Sequence, residues 1–179
     1  MQTEIKFAGF GGQGILLSAK LLAYAAMKQG FFVAWVPSYG PEMRGGTAYC
    51  TVVIASKKIG SPVIKNPTHL VAMNRPSLEK FTNDVKTDGV IFINSSLIPT
   101  RSNREDIVEL VVPANDIAIK AGSVRAANIV ALSAFAAKTG IVDLDLLKDC
   151  VKEEFAAKAK IIPLNMKAFD EGVNCARNN

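Results

Sequence analysis

The sequence predicts an α/β fold. It reads as a single three-layer α/β/α domain over residues 1–179, with a mixed, Rossmann-like sheet and a helical C-terminal region. Three observations carry this expectation. An apolar run, Ile5-Lys6-Phe7-Ala8, empties into Gly9-Phe10-Gly11-Gly12-Gln13-Gly14 and then into a segment of helical period, the order strand, glycine turn, helix. Short continuous apolar runs then recur between turn residues, as buried strands do, while beyond residue 112 the periodicities are helical. Apolar residues make up 49% of the chain and charged ones 21%, enough for a sheet covered on both sides.

Taken in order, residues 15–29 place Ile15, Leu16, Leu21, Leu22, Ala25 and Ala26 at helical spacing, with Gly30 as the C-terminal stop. Phe31-Phe32-Val33-Ala34-Trp35-Val36 reads as a second buried strand ended by Pro37, so the opening residues form a β-α-β unit, expected to be right-handed. A loop, Ser38-Tyr39-Gly40-Pro41-Glu42-Met43-Arg44-Gly45-Gly46, leads to a strand over residues 47–56. There Ala48, Cys50, Val52 and Ile54 alternate with a mixed face, and the short connection favours an antiparallel neighbour. His69-Leu70-Val71-Ala72-Met73 is a short strand, Pro76 opens a helix over 77–83, and Asp88-Gly89 turns into the strand Val90-Ile91-Phe92-Ile93. Residues 107–112 give the last strand, and Asn115 or Asp116 caps a short helix at 117–121. Helical patterns follow at 126–139, 144–160 and 165–175.

Composition narrows the function. The formal charge is +5, but the basic residues are scattered among acids and no stripe is interleaved with aromatics, which argues against nucleic-acid binding. No apolar run nears the ~18 residues a membrane span needs. The N-terminus enters the charged strand Glu4-Ile5-Lys6, so a cytoplasmic protein is expected. Cys50, Cys150 and Cys175 form no C-x-x-C pair and cannot by themselves hold a cluster or structural zinc. His69, the one histidine, reads as the start of a strand, and no G-x-S-x-G elbow exists for a nucleophilic serine.

The glycine turn is formally G-x-G-x-x-G. A dinucleotide fingerprint also requires an acid at the end of the second strand to bind ribose, where this chain has Ala34-Trp35-Val36-Pro37. Three readings stay open: a dinucleotide site, a contact for another anion or coenzyme, or a structural turn or subunit contact. The Gln13 amide is a donor for a phosphate or for a partner's backbone. Glu42 and Arg44, two residues apart beside Gly45-Gly46, suit an interface better than acid–base chemistry, with Trp35, Tyr39 and Met43 as apolar anchors. Asn128, on an otherwise apolar helix, is a candidate buried amide.

The turn Gly9 to Gly14, followed at this distance by the loop Ser38 to Gly46, resembles the gamma subunit of 2-oxoacid:ferredoxin oxidoreductases. The similarity continues through Ile59-Gly60-Ser61-Pro62 and Asn128-Ile129-Val130-Ala131-Leu132 to Asn165-Met166-Lys167-Ala168-Phe169-Asp170-Glu171-Gly172. What the resemblance implies is an accessory subunit without catalytic residues of its own. The complex would decarboxylate a 2-oxoacid oxidatively, join the acyl group to coenzyme A and reduce ferredoxin. Thiamine diphosphate would lie between alpha and beta subunits, and iron–sulfur clusters on beta or on a ferredoxin-like delta subunit. The Glu-Met-Arg-Gly-Gly form is most similar to the 2-oxoglutarate type (2-oxoglutarate synthase). Gly11, Gly12, Gln13, Gly14 and Arg44 are the implied contacts to coenzyme A phosphates or to another subunit. A stand-alone nucleotide-binding oxidoreductase and a non-enzymatic adaptor are the competing classes.

Overall fold

The computed structural model describes residues 2–38 and 47–179. Its strands are β1 (Gln2–Phe10), β2 (Phe32–Ser38), β3 (Thr47–Ala55), β4 (His69–Ala72), β5 (Val90–Asn94) and β6 (Val108–Val112). They form one sheet in the order β2-β3-β1-β4-β5-β6. β3 runs antiparallel to both of its neighbours, while β1, β4, β5 and β6 are mutually parallel, so the expected mixed sheet is found.

The pleat divides each strand between two cores. Ile5 and Phe7, Cys50 and Val52, Val71, Phe92 and Leu110 face the larger one. Ala8, Leu70, Ala72, Ile91 and Ile93 face the smaller. Continuous apolar runs such as Val90-Ile91-Phe92-Ile93 are therefore what a strand covered on both faces requires. Against the larger core pack α1 (Ile15–Lys28), α4 (Ala127–Thr139) and α6 (Ile162–Arg177), joined by α3 (Ala114–Ala121) and α5 (Leu144–Glu154). The smaller core is roofed by α2 (Arg75–Phe81) and by Val85 and Ile98 from the connecting segments. Helices thus lie on both faces, unequally shared.

α4 explains its own sequence. Its residues from Ala127 to Ala136 are all buried, so it is apolar nearly all round, as a helix enclosed by sheet and helices must be. Phe135 meets Phe7 edge-on at 6.1 Å and the His69 ring at 5.7 Å. Against α6, Gly172 lets the helices close up, because a Cβ there would stand 2.5 Å from the Val130 carbonyl oxygen.

Several boundaries differ from expectation for local reasons. β2 is an edge strand, not a buried one, with Phe32 and Trp35 exposed. Pro37 does not end it but pairs opposite Cys50, which an edge permits because an outward-facing proline forfeits no ladder bond. α2 begins at Arg75 under an Asn74 cap whose side chain accepts from the Ser77 N–H, and Pro76 lies in its first turn. α3 starts at Ala114 after Pro113, so neither Asn115 nor Asp116 caps it. The helix expected over 144–160 stops at Glu154 and gives way to a tighter turn, Ala156–Ile161, bent at Lys158 (φ −127°, ψ 52°). α6 begins at Ile162, earlier than expected, since Pro163 is at home in a first turn.

Candidate functional site

The carboxyl ends of β1, β4 and β5 converge on the glycine turn, the place where open α/β sheets present ligand sites. Gly12 (φ +95°) and Gly14 (φ +74°) take left-handed backbone, which glycine adopts without strain. At Gly14 space is short as well: a Cβ would come within 2.6 Å of the Asn128 Nδ2.

Gln13 holds the turn from within. Its Oε1 accepts the Phe10 N–H at 2.7 Å, and its Nε2 donates to the Met73 carbonyl at 3.2 Å, tying the end of β1 to the end of β4. The amide expected to reach outward thus has its hydrogen-bonding groups engaged on the turn and its neighbour. Asn128 is buried; its Nδ2 donates to the Gly14 carbonyl at 3.4 Å and its backbone carbonyl accepts from Ser18 Oγ at 3.1 Å, two bonds that pin α4 to the head of α1. At the end of β5, fully buried Asn94 donates to Asn115 Oδ1 at 2.9 Å and accepts the Ala114 N–H at 3.1 Å.

Gln13, Asn115 and Asn128 border a cleft of about 180 Å³ that Gly12, Met73 and Arg125 also line, with Asn94 buried beneath and holding Asn115. Arg125 is exposed, and among the described residues no carboxylate, histidine or cysteine lines the cleft. No side chain caps the N-terminus of α1, and its first turn holds no acid. A cleft bounded by amide donors, a guanidinium and the positive end of a helix suits an anion or a carbonyl-rich backbone. Among the described residues it offers no carboxylate or imidazole for proton transfer. Arg125 and Asn94 were invisible in the sequence because only the tertiary fold brings them to the turn.

A dinucleotide site fits poorly. In the Rossmann arrangement the second strand lies beside the first, so its acid reaches the ribose. Here β3 is inserted between β1 and β2, moving the end of β2 one strand further, roughly 10 Å from β1. β2 also ends without an acid. Glu42 and Arg44 lie outside the described residues.

The other titratable candidates stand apart. His69 opens β4, opposite Ile5 and far from the turn end of β1, and its Nδ1 accepts the Val90 N–H at 2.9 Å. Burial pushes its pKa down to about 4, against the pull of nearby Glu4. Burial likewise raises the Cys50 thiol to about 12, so it is inert as a nucleophile. Among the described residues no three His, Cys, Asp or Glu side chains gather as metal ligands, and no helix is long and apolar enough to cross a membrane.

With this geometry in hand, comparison with known proteins is specific. Residues 4–175 match the family described as pyruvate ferredoxin/flavodoxin oxidoreductase. Ketoisovalerate oxidoreductase subunit VorA of Methanothermobacter marburgensis is 41% identical over 180 residues, covering 99% of this chain but 37% of VorA. The chain therefore spans little more than a third of that relative's length. The 2-oxoglutarate synthase subunit KorC of the same organism is 32% identical over 180 residues, covering 96% of this chain and 95% of KorC. Among solved structures, the gamma subunit of a keto/oxoacid ferredoxin oxidoreductase from Geobacter sulfurreducens PCA superposes with a TM-score of 0.86 at 30% identity, over 99% of each chain.

Proposed function

The chain belongs to the pyruvate ferredoxin/flavodoxin oxidoreductase family, and we propose that it serves as the gamma-type accessory subunit of a 2-oxoacid:ferredoxin oxidoreductase. In this reading residues 1–179 act as one unit, in the cytoplasm, docked on alpha and beta subunits that carry the chemistry, with ferredoxin as electron acceptor. The observation that carries it is the braced glycine turn beside a cleft that, among the described residues, holds a cation and no carboxylate, histidine or cysteine. That is binding apparatus.

The cofactors of the complex fit this chain unequally. Cys50 and Cys150 are buried and Cys175 lies on another helix, a set with no common point for a cluster, so iron–sulfur chemistry is assigned to other subunits. Among the described residues the cleft has none of the carboxylates a diphosphate-bound metal would need, so thiamine diphosphate is assigned elsewhere too. Coenzyme A is the better match. Backbone N–H groups of Gly11, Gly12 and Gly14 and the head of α1 would face its phosphates, with Arg44 adding charge. Gln13 then acts by keeping the turn in shape.

Two observations pull the substrate assignment apart. The Glu42-Met43-Arg44-Gly45-Gly46 form supports 2-oxoglutarate, while the higher identity to VorA supports ketoisovalerate. Assaying the purified complex with both acids decides between them. The subunit reading itself is tested in that complex with Gln13→Ala combined with Arg44→Ala. The double variant is expected to lower the yield of assembled complex or to raise the coenzyme A concentration needed for half-maximal rate about tenfold. Unchanged assembly together with unchanged kinetics would sink it.

A further inference from the structure

The edge strand β2 and the adjoining face of α1 carry apolar surface that nothing among the described residues covers. Met27 is 54% exposed, Tyr24 42% and Trp35 41%, and together with Val33, Ala23 and the stem of Lys20 they line a groove of about 240 Å³. Phe32, 45% exposed, lies on the other face of the same strand. β2 holds no charged residue from Phe32 to Ser38, and among the described residues it pairs with β3 alone. Pro37 blunts the edge near its end, but Phe32 to Val36 hold neither the lysine nor the proline that normally keeps free edge N–H and C=O groups from recruiting other chains.

The cations at the rim are already engaged. Lys20 pairs with Glu154 at 2.8 Å and Lys28 with Glu153 at 2.7 Å, both on α5. A partner therefore needs apolar side chains and free backbone, not compensating charge. Tyr24, Met27 and Trp35 expose about 300 Å² of side chain in total, taking roughly 200 Å² for each when whole. A symmetric pair of copies would have to be held by this patch alone, and a stable interface takes about 800 Å² from each partner. A neighbour anchored elsewhere as well needs much less, because its local concentration is already high. VorA supplies that condition: this unit occupies 37% of its length, so the remainder of that chain is covalently tethered to it.

We propose that the groove and the β2 edge receive the large subunit of the complex, the counterpart of the part of VorA outside this unit. An uncharged extended segment of it adds to β2 as a further strand and seats an apolar side chain against Trp35 and Met27. The proposal rests on the subunit reading above and adds to it the surface and the mode of contact.

The test is co-purification of the tagged chain with the complex, comparing wild type with Trp35→Lys, Met27→Lys and the conservative Trp35→Phe. The two lysine variants are expected to reduce the identified large subunit recovered at least tenfold, with Trp35→Phe near wild type and all isolated variants keeping the wild-type circular dichroism spectrum. Amide exchange across residues 32–36 is expected to slow at least tenfold in the wild-type complex relative to the isolated chain. Undiminished capture by Trp35→Lys, or unchanged exchange in β2, overturns the proposal alone. An isolated wild-type dimer that Trp35→Lys dissociates overturns it in favour of a second copy, and a wild-type chain that captures no large subunit overturns the subunit reading as well.

Discussion

Gly14 shows how one residue can be required twice. Its φ of +74° disfavours any side chain, and Asn128 fills the volume a Cβ would need. Gly14→Ala is expected to destabilise the chain by about 2–3 kcal/mol, from the left-handed backbone and the displaced amide together. Urea unfolding checks this, and adding Asn128→Ala should make the second loss smaller than it is in wild type. Strict additivity of the two would contradict the packing account. His69 makes a separate, pH-dependent prediction. Its folded pKa, about 4, lies below the ordinary imidazole value of 6.5, so the native state prefers the neutral ring that accepts from Val90. The unfolded chain binds more protons between these values, hence this stability is full above pH 6.5 and is lost as pH falls toward 4. Linkage puts the loss at about 2 kcal/mol once solvent screening of a partly exposed ring is allowed for. Unfolding curves of wild type and His69→Gln across pH 4 to 7 should show the smaller slope in the variant; parallel slopes would refute it.

At the scale of elements, the turn and α2 are coupled through one side chain. Asn74 caps α2 by accepting from Ser77 at 2.9 Å and also donates to Gln13 Oε1 at 3.5 Å. Asn74→Ala should cost about 1 kcal/mol of stability. It should also speed amide exchange at Phe10, whose N–H is held by Gln13. A stability loss with no change at Phe10 would show that the cap and the turn are independent. Elements with a clear period were legible: the α1 helix, the alternating β3 and the buried β5 stand where the residues placed them. β2 was not, because Phe32-Val33-Ala34-Trp35-Val36 is as apolar as a central strand and only its neighbours reveal an edge. The alanines and lysines at 155–160 suit a continuous helix, yet the chain bends at Lys158 before Pro163, a break no local period signals.

Across the whole molecule, the insertion of β3 between β1 and β2 is the decisive arrangement. It keeps a dinucleotide-like turn while displacing the strand end from which a ribose would be held. It also leaves β2 at the rim with apolar side chains in solvent, so the same topology that argues against a dinucleotide produces the surface proposed for the large subunit.

The residues alone determined the class of fold and the glycine turn, because periodicity and glycine placement are local properties of the chain. They also carried the family resemblance, through the pairing of the Gly9 to Gly14 turn with the Ser38 to Gly46 loop. Tertiary structure alone decided which strand became the edge, that the amide of Gln13 braces the turn, and that Arg125, Asn115 and Asn128 line one cleft with it. Those are contacts between residues 60 to 114 positions apart, as from Gln13 to Met73 and from Gly14 to Asn128. No local pattern encodes such a contact, because it exists only once the sheet order is fixed.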